Sequence, residues 1–258
     1  MNELLELPTA RRAKAPQGFL LHCGATTVSR EAVAEVKTPI GTASWYPLAH
    51  TALVCEVETQ LLAAGFQVTG EAHALSHEGS RYFGLLAVET PGGAKKDYTW
   101  TVGLRNSHDK SYPAGLVAGT RVFVCDNLSF CGEVAISRKH TRFAVRDLKH
   151  LTARAVGQLG DKFHQIDGRI GAYREHRLND RGAHDLIVRA LDCRALTTTQ
   201  IPDVLQEWRT PRHEEFVPRN AWSLFNAATE VMKGGNPYAL VARSQALHGL
   251  FDGLVGLS

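Results

Sequence analysis

The period of the hydrophobic pattern changes twice along this chain, and those two changes restrict its fold more than any single motif does. Between Phe66 and Ser137 the apolar residues come in short runs rich in β-branched and aromatic side chains: "FQVTGEAHALS", "RYFGLLAVETP", "KDYTWTVGLRN", "TRVFVCDNLSF" and "GEVAIS". Gly, Pro, Asn or Asp punctuates each run, and Pro91-Gly92-Gly93 supplies turn chemistry between the second and third. This pattern predicts a mostly antiparallel sheet of four or five strands. Ahead of it, "SWYPLAHTALVCEVETQLLAAGF" carries Leu48, Leu53, Val54, Val57, Leu61 and Leu62 near helical spacing, with Gly65 as a stop. From Thr141 the helical period returns. Leu148, Leu151, Ala155, Leu159, Phe163, Ile166, Ile170 and Tyr173 form one apolar stripe, predicting a long amphipathic helix. Gly157, Gly160, Gly168 and Gly171 weaken that helix by ~1 kcal/mol each relative to Ala. Helical runs follow in "AHDLIVRALDC", "QIPDVLQEW", "NAWSLFNAATEVM" and "NPYALVARSQALHGLFDGL". The order is that of an α+β protein, an antiparallel sheet packed on a long helix with further C-terminal helices. We read residues 1–258 as a single domain: an irregular lead-in over 1–45, a helix plus the sheet over 46–140, and a helical part over 141–258.

A hydrophobic content of 44% supports a substantial core. The cysteines (Cys23, Cys55, Cys125, Cys131, Cys193) are odd in number and show no Cys-x-x-Cys pair, which suits reduced thiols in a cytoplasm. The first residues carry charges where a secretion signal needs an apolar core, and no stretch approaches the roughly 18 apolar residues of a membrane span. The expectation is a cytoplasmic protein with no membrane contact.

Charge is unevenly placed. Between Ser137 and Arg181 there are eleven Lys/Arg against five Asp/Glu, a net +6, whereas the whole chain is +3 and the remainder therefore −3. At about 100° per residue, Arg142, Arg146, Lys149, His150 and Arg154 fall opposite the apolar stripe. With Arg138 and Lys139 just upstream, they form a row able to contact successive phosphates of a nucleic acid. A solubilising outer face is the plainer account of such a row. Phe143, Phe163 and Tyr173 fall on or near the apolar side and read as core.

A polar loop, Arg105-Asn106-Ser107-His108-Asp109, ends the third strand. Strand alternation puts Arg105, Ser107 and Asp109 on one side and Asn106 and His108 on the other, which makes a direct His108–Asp109 dyad the least attractive pairing for His108. Cys125-Asp126-Asn127 ends the next strand. His108 with Asp126, and Cys125 as nucleophile, are the weak catalytic candidates. Turn chemistry explains the same residues without catalysis. Zinc-like Cys/His spacing, phosphate loops, dinucleotide fingerprints and the Gly-x-Ser-x-Gly elbow are absent, so no metal or cofactor is expected.

Asn106-Ser107-His108-Asp109, Cys125 with Asn127, His140-Thr141 before the long helix, and Trp222 with Asn226-Ala227 and Thr229 follow one another in an order that resembles the phage/plasmid-like family called domain of unknown function 932. Three positions depart from that family's pattern: Lys110 stands for Gly, Leu128 for Thr and Phe225 for Tyr. With Lys110 in place, the loop is expected to avoid a positive φ. The helix, hairpin sheet and basic helix are also similar in architecture to single-strand annealing recombinases. The resemblance implies a phage or plasmid setting and hence DNA metabolism, recombination or contests with host defence. The leading expectation is binding or annealing of single-stranded DNA through Arg138, Lys139, Arg142, Arg146, Lys149 and Arg154, in a possible homo-oligomer. A non-catalytic component that binds a host protein is the alternative, and an enzyme acting on nucleotides or nucleic acid is the second.

Overall fold

The computed structural model describes residues 26–91, 98–122, 128–141, 143–233 and 237–257. Strands β1 (Thr26–Val28), β2 (Gln67–Ser76), β3 (Arg81–Glu89), β4 (Tyr98–Ser107), β5 (Ala114–Val122) and β6 (Leu128–Arg138) form one sheet. Each pairs antiparallel with the next in sequence. Five of them occupy the expected region. The sixth, β1, comes from the stretch read as irregular and leads into a short helix α1 (Arg30–Glu35), which Ser29 caps by accepting from the Ala32 N–H.

One expected strand is corrected. The run Thr120–Phe130 is divided between the end of β5 and the start of β6. The true β5, "AGLVAGTRV", is hard to see in the sequence because Gly115 and Gly119 dilute its strand character. Strand β3 is buried from Tyr82 to Leu86, so alternate side chains on both faces of the sheet are covered. Tyr82, Leu86 and Val88 lie across from Asn106, Val102 and Trp100 on one face.

That face receives the first long helices. Helix α2 (His50–Ala63) buries Leu53, Val54, Val57 and Leu61, and it ends where Gly65 takes a φ of +84°. The long amphipathic helix is instead two helices, α3 (Ala144–Gly157) and α4 (Leu159–Glu175), divided at Gln158. The last turn of α3 tightens, with the Gln158 N–H bonded to the Ala155 carbonyl, and Gly157 and Gly160 flank the break. The apolar stripe runs on through it, because Leu148, Ala155, Leu159, Phe163, Ile166, Ile170 and Tyr173 are all buried. Trp100 stacks on Phe163 at 4.7 Å, and Asp167 accepts from Tyr98 Oη (2.6 Å) and Trp100 Nε1 (3.0 Å), which fixes α4 on β4.

The remaining helices are α5 (Asp180–Asp192), α6 (Ile201–Arg209), α7 (Ala221–Met232) and α8 (Pro237–Val255). Every residue from Ala221 to Thr229 is buried, making α7 the centre of this part. Phe225, where the family pattern has Tyr, packs among Tyr173, Trp222, His248 and Phe251, an all-ring environment that an aromatic without a hydroxyl fills. Among the described residues, no helix is long and apolar enough to cross a membrane.

Candidate functional site

The polar residues at the end of β4 face the segment that precedes α2. The Leu48 carbonyl accepts from Asn106 Nδ2 (2.7 Å) and His108 Nε2 (2.9 Å), while the Leu48 N–H donates to His140 Nδ1 (3.1 Å). His50 Nε2 donates to the Gly79 carbonyl (3.0 Å), and its Nδ1 accepts from Asn106 Nδ2 (2.9 Å). The partners fix the tautomers: carbonyls only accept, so His50 and His108 carry hydrogen on Nε2, and a backbone N–H only donates, so His140 Nδ1 is bare. The His50 and His108 rings stack at 3.9 Å and 6°. All three histidines are buried, and burial pushes their pKa down: His50 to about 4, and His108 and His140 in the same direction. They are neutral at pH 7 and serve as a latch on the start of α2.

On the other side of the loop, Ser107 Oγ donates to the Tyr112 carbonyl (2.7 Å), and Asp109 accepts from Arg81 Nε (2.6 Å) and from the Ser111 N–H (3.0 Å). Burial alone would raise the Asp109 carboxyl, but the Ser111 and Arg81 bonds outweigh it and hold the group at about 2. The Arg105 guanidinium lies 5.7 Å from the Tyr112 ring centroid. The expectation about Lys110 is overturned: its φ is +65°, the left-handed conformation that a glycine would take without strain. The Asp109 carboxylate closing on Ser111 holds that turn in place.

Cys125, Asp126 and Asn127 lie outside the described residues. The strand ends that flank them, Val122 and Leu128, pair with Tyr98 and Arg121, at the end of the sheet away from Asn106 and His108. Of the basic row, Arg142 lies outside the described residues, as does the side chain of Arg138, whose backbone pairs with Ala114. Lys139, Arg146, Lys149, His150 and Arg154 are exposed, and α3 turns Leu148, Thr152, Ala155 and Val156 inward instead.

Phe143 is not core. Its ring is 38% exposed, with the Arg146 guanidinium 4.4 Å from its centroid. Arg146 Nε also bonds Asp147 (2.8 Å), a contact between exposed groups worth at most ~1 kcal/mol. Tyr46, 39% exposed, is tied through its N–H to the His140 carbonyl (2.9 Å). Trp45 sits 6.3 Å from the His140 ring, with Lys110 Nζ 5.1 Å from its own centroid. Trp45 and Tyr46 thus meet His140 near the head of α3, with Lys110 on the Trp45 ring and Arg146 on the Phe143 ring. The sequence signal for this cluster is the pair Trp45-Tyr46 just before a helix, and it is silent on its own because its partners lie far along the chain.

Among the described residues, no group of three His, Cys, Asp or Glu side chains could hold a metal ion. His73 bonds Tyr82 Oη (2.9 Å) inside the sheet face, well apart in role from His77, which has a φ of +52° in the β2–β3 turn.

Residues 43–250, that is 208 of the 258, match the family model described as Domain of unknown function (DUF932). No curated protein and no solved structure matches the chain, so the architectural likeness to annealing recombinases gains no support. The latch and the buried helix α7 hold Asn106, His108, His140, Trp222 and Asn226 of the motifs by which the sequence resembles that family, and the chain belongs to the family described as Domain of unknown function (DUF932).

Proposed function

We propose that the protein binds single-stranded nucleic acid along α3, starting from the aromatic–cation cluster at its head. The observation that carries this reading is a partly exposed ring at the head of α3, Phe143, with the Arg146 guanidinium against it and the exposed Lys139 just upstream. Lys149 and Arg154 extend it along the helix. Cations along a path attract a phosphate backbone, and aromatic rings beside them stack on bases that no second strand has paired. Helix α3 contributes nothing from this outer face to the core, so the face is available to a partner. Single-stranded DNA is the substrate we favour, in keeping with the phage and plasmid setting that the sequence resemblance implies.

The test is fluorescence anisotropy of a labelled oligothymidylate across a salt series. Binding that weakens log-linearly with salt is expected, and Phe143→Ala should cost about 5- to 100-fold, the usual range for one base-stacking ring. No binding at low salt, or an affinity indifferent to salt, would refute the proposal.

A further inference from the structure

A pocket of about 20 Å³ opens on the face of the sheet opposite the latch, lined by Phe83, Gly103, Arg105, Gly115, Val117 and Val241. It follows from the strand register. Arg105 of β4 stands across from Phe83 of β3 on one side and from Gly115 of β5 on the other. Gly103, two residues earlier on β4, shares the Arg105 face and stands across from Val117. Neither glycine carries a side chain, so the sheet is left open beside the guanidinium, and Val241 of α8 supplies a further wall.

Arg105 is uncommitted. Its Nε is buried without a hydrogen-bond partner, and among the described residues no carboxylate lines the pocket or pairs with the guanidinium. Its neighbour is the Tyr112 ring, 5.7 Å away at the centroid, and a ring face supports a guanidinium without occupying its hydrogen-bonding edge. Asp109, four residues on, is taken by Arg81 Nε (2.6 Å) and the Ser111 N–H (3.0 Å). A buried donor without an acceptor is unfavourable, and an acceptor brought by a ligand relieves it.

Size and charge narrow the ligand. A volume of about 20 Å³ exceeds the roughly 10–15 Å³ that one water needs and is far below that of a sugar or a nucleobase. The pocket takes the end of a molecule. One guanidinium, with its planar fork of donors, matches the two coplanar oxygens of a carboxylate. A phosphate dianion calls for more donors than this lining offers, because the backbone N–H groups of β4 and β5 serve the ladders on either side. Phe83, Val117 and Val241 suit a short hydrocarbon stem. We infer that Arg105 anchors the carboxylate of a small monocarboxylic acid, whose stem lies against Phe83, Val117 and Val241. This site uses a different face of the sheet from the latch and does not depend on the nucleic-acid reading.

The experiment titrates sodium butyrate into the native chain and follows the amide resonances of Gly103 and Gly115 by nuclear magnetic resonance. Butyramide, uncharged and of the same shape, and sodium chloride are the controls. Saturable shifts with butyrate alone are expected. Arg105→Gln keeps a hydrogen-bonding side chain but removes the charge, and it should weaken butyrate binding by about tenfold or more. Val241→Phe fills the pocket from α8 with Arg105 in place and should bring a comparable loss, so the test survives if the Arg105 variant does not fold. No saturable shift in the native chain, equal shifts with butyramide or chloride, or butyrate binding that both variants retain overturns the inference.

Discussion

Two polar regions flank His140, and they are built to opposite ends. Beneath it, Asn106, His108 and His50 aim their hydrogen-bonding atoms at the backbone of Leu48 and Gly79 or at one another, away from water. Above it, Lys139, Arg146, Lys149 and Arg154 point outward from a helix whose packing does not need them. The buried region holds the most conspicuous residues of the sequence, and folding consumes them. The outer row resembles any ordinary charged helix face and is left available. A motif that draws attention because its groups are reactive can owe its pattern to the satisfaction of a buried backbone, since each unpaired buried group costs ~1–3 kcal/mol.

The largest effect that could break this contrast is in the latch. Replacing Asn106 by Ala removes a donor to Leu48, whose carbonyl keeps only His108, and leaves buried His50 Nδ1 unpaired, so unfolding free energy should fall by about 1–3 kcal/mol in a denaturant titration. A loss below ~0.5 kcal/mol would mean that the latch does not hold α2. Acidification comes next. The buried histidines have folded-state pKa values below their unfolded ones, so the unfolded chain binds more protons as pH falls. Their contribution is whole above about 6.5 and is lost as pH drops toward about 4, the folded value for His50. Each histidine titrating in this window changes stability by up to ~1.4 kcal/mol per pH unit. A melting temperature unchanged from pH 7 to pH 5 would contradict the neutral latch. His50→Gln should flatten part of this dependence while retaining a hydrogen-bonding side chain. The smallest effect belongs to the exposed face: Arg146→Ala/Lys149→Ala/Arg154→Ala should shift stability by no more than ~0.5 kcal/mol per site, because none of these side chains is buried.

Most of the architecture is legible in the sequence, for reasons that also explain the misses. Strands β2, β3 and β4 announce themselves by bulky alternation between turn residues, whereas β5 is diluted by Gly115 and Gly119. The division of α3 from α4 is invisible because the core reads the stripe, and Leu159 and Phe163 keep to it across Gln158. The latch is illegible in a different way. Its bonds join residues 58, 60 and 92 positions apart, and nothing local to Leu48, whose peptide is the shared partner, marks it as special. Alternation does place Asn106 and His108 on one side of β4, but what waits there is set by the packing of α2. Helical phase assigns Phe143 to the core. The residue precedes the first turn of α3, where that phase does not yet apply, and its ring stays outside under Arg146.

The central claim, that the quiet face of α3 rather than the conspicuous loop meets the partner, is tested most directly by one paired measurement. Oligothymidylate affinity and melting temperature are recorded for the native chain and for Arg146→Ala/Lys149→Ala/Arg154→Ala. The predicted result is an affinity at least tenfold weaker, with a shallower salt dependence, at a melting temperature within a few degrees of the native chain's. An affinity equal to that of the native chain would contradict it.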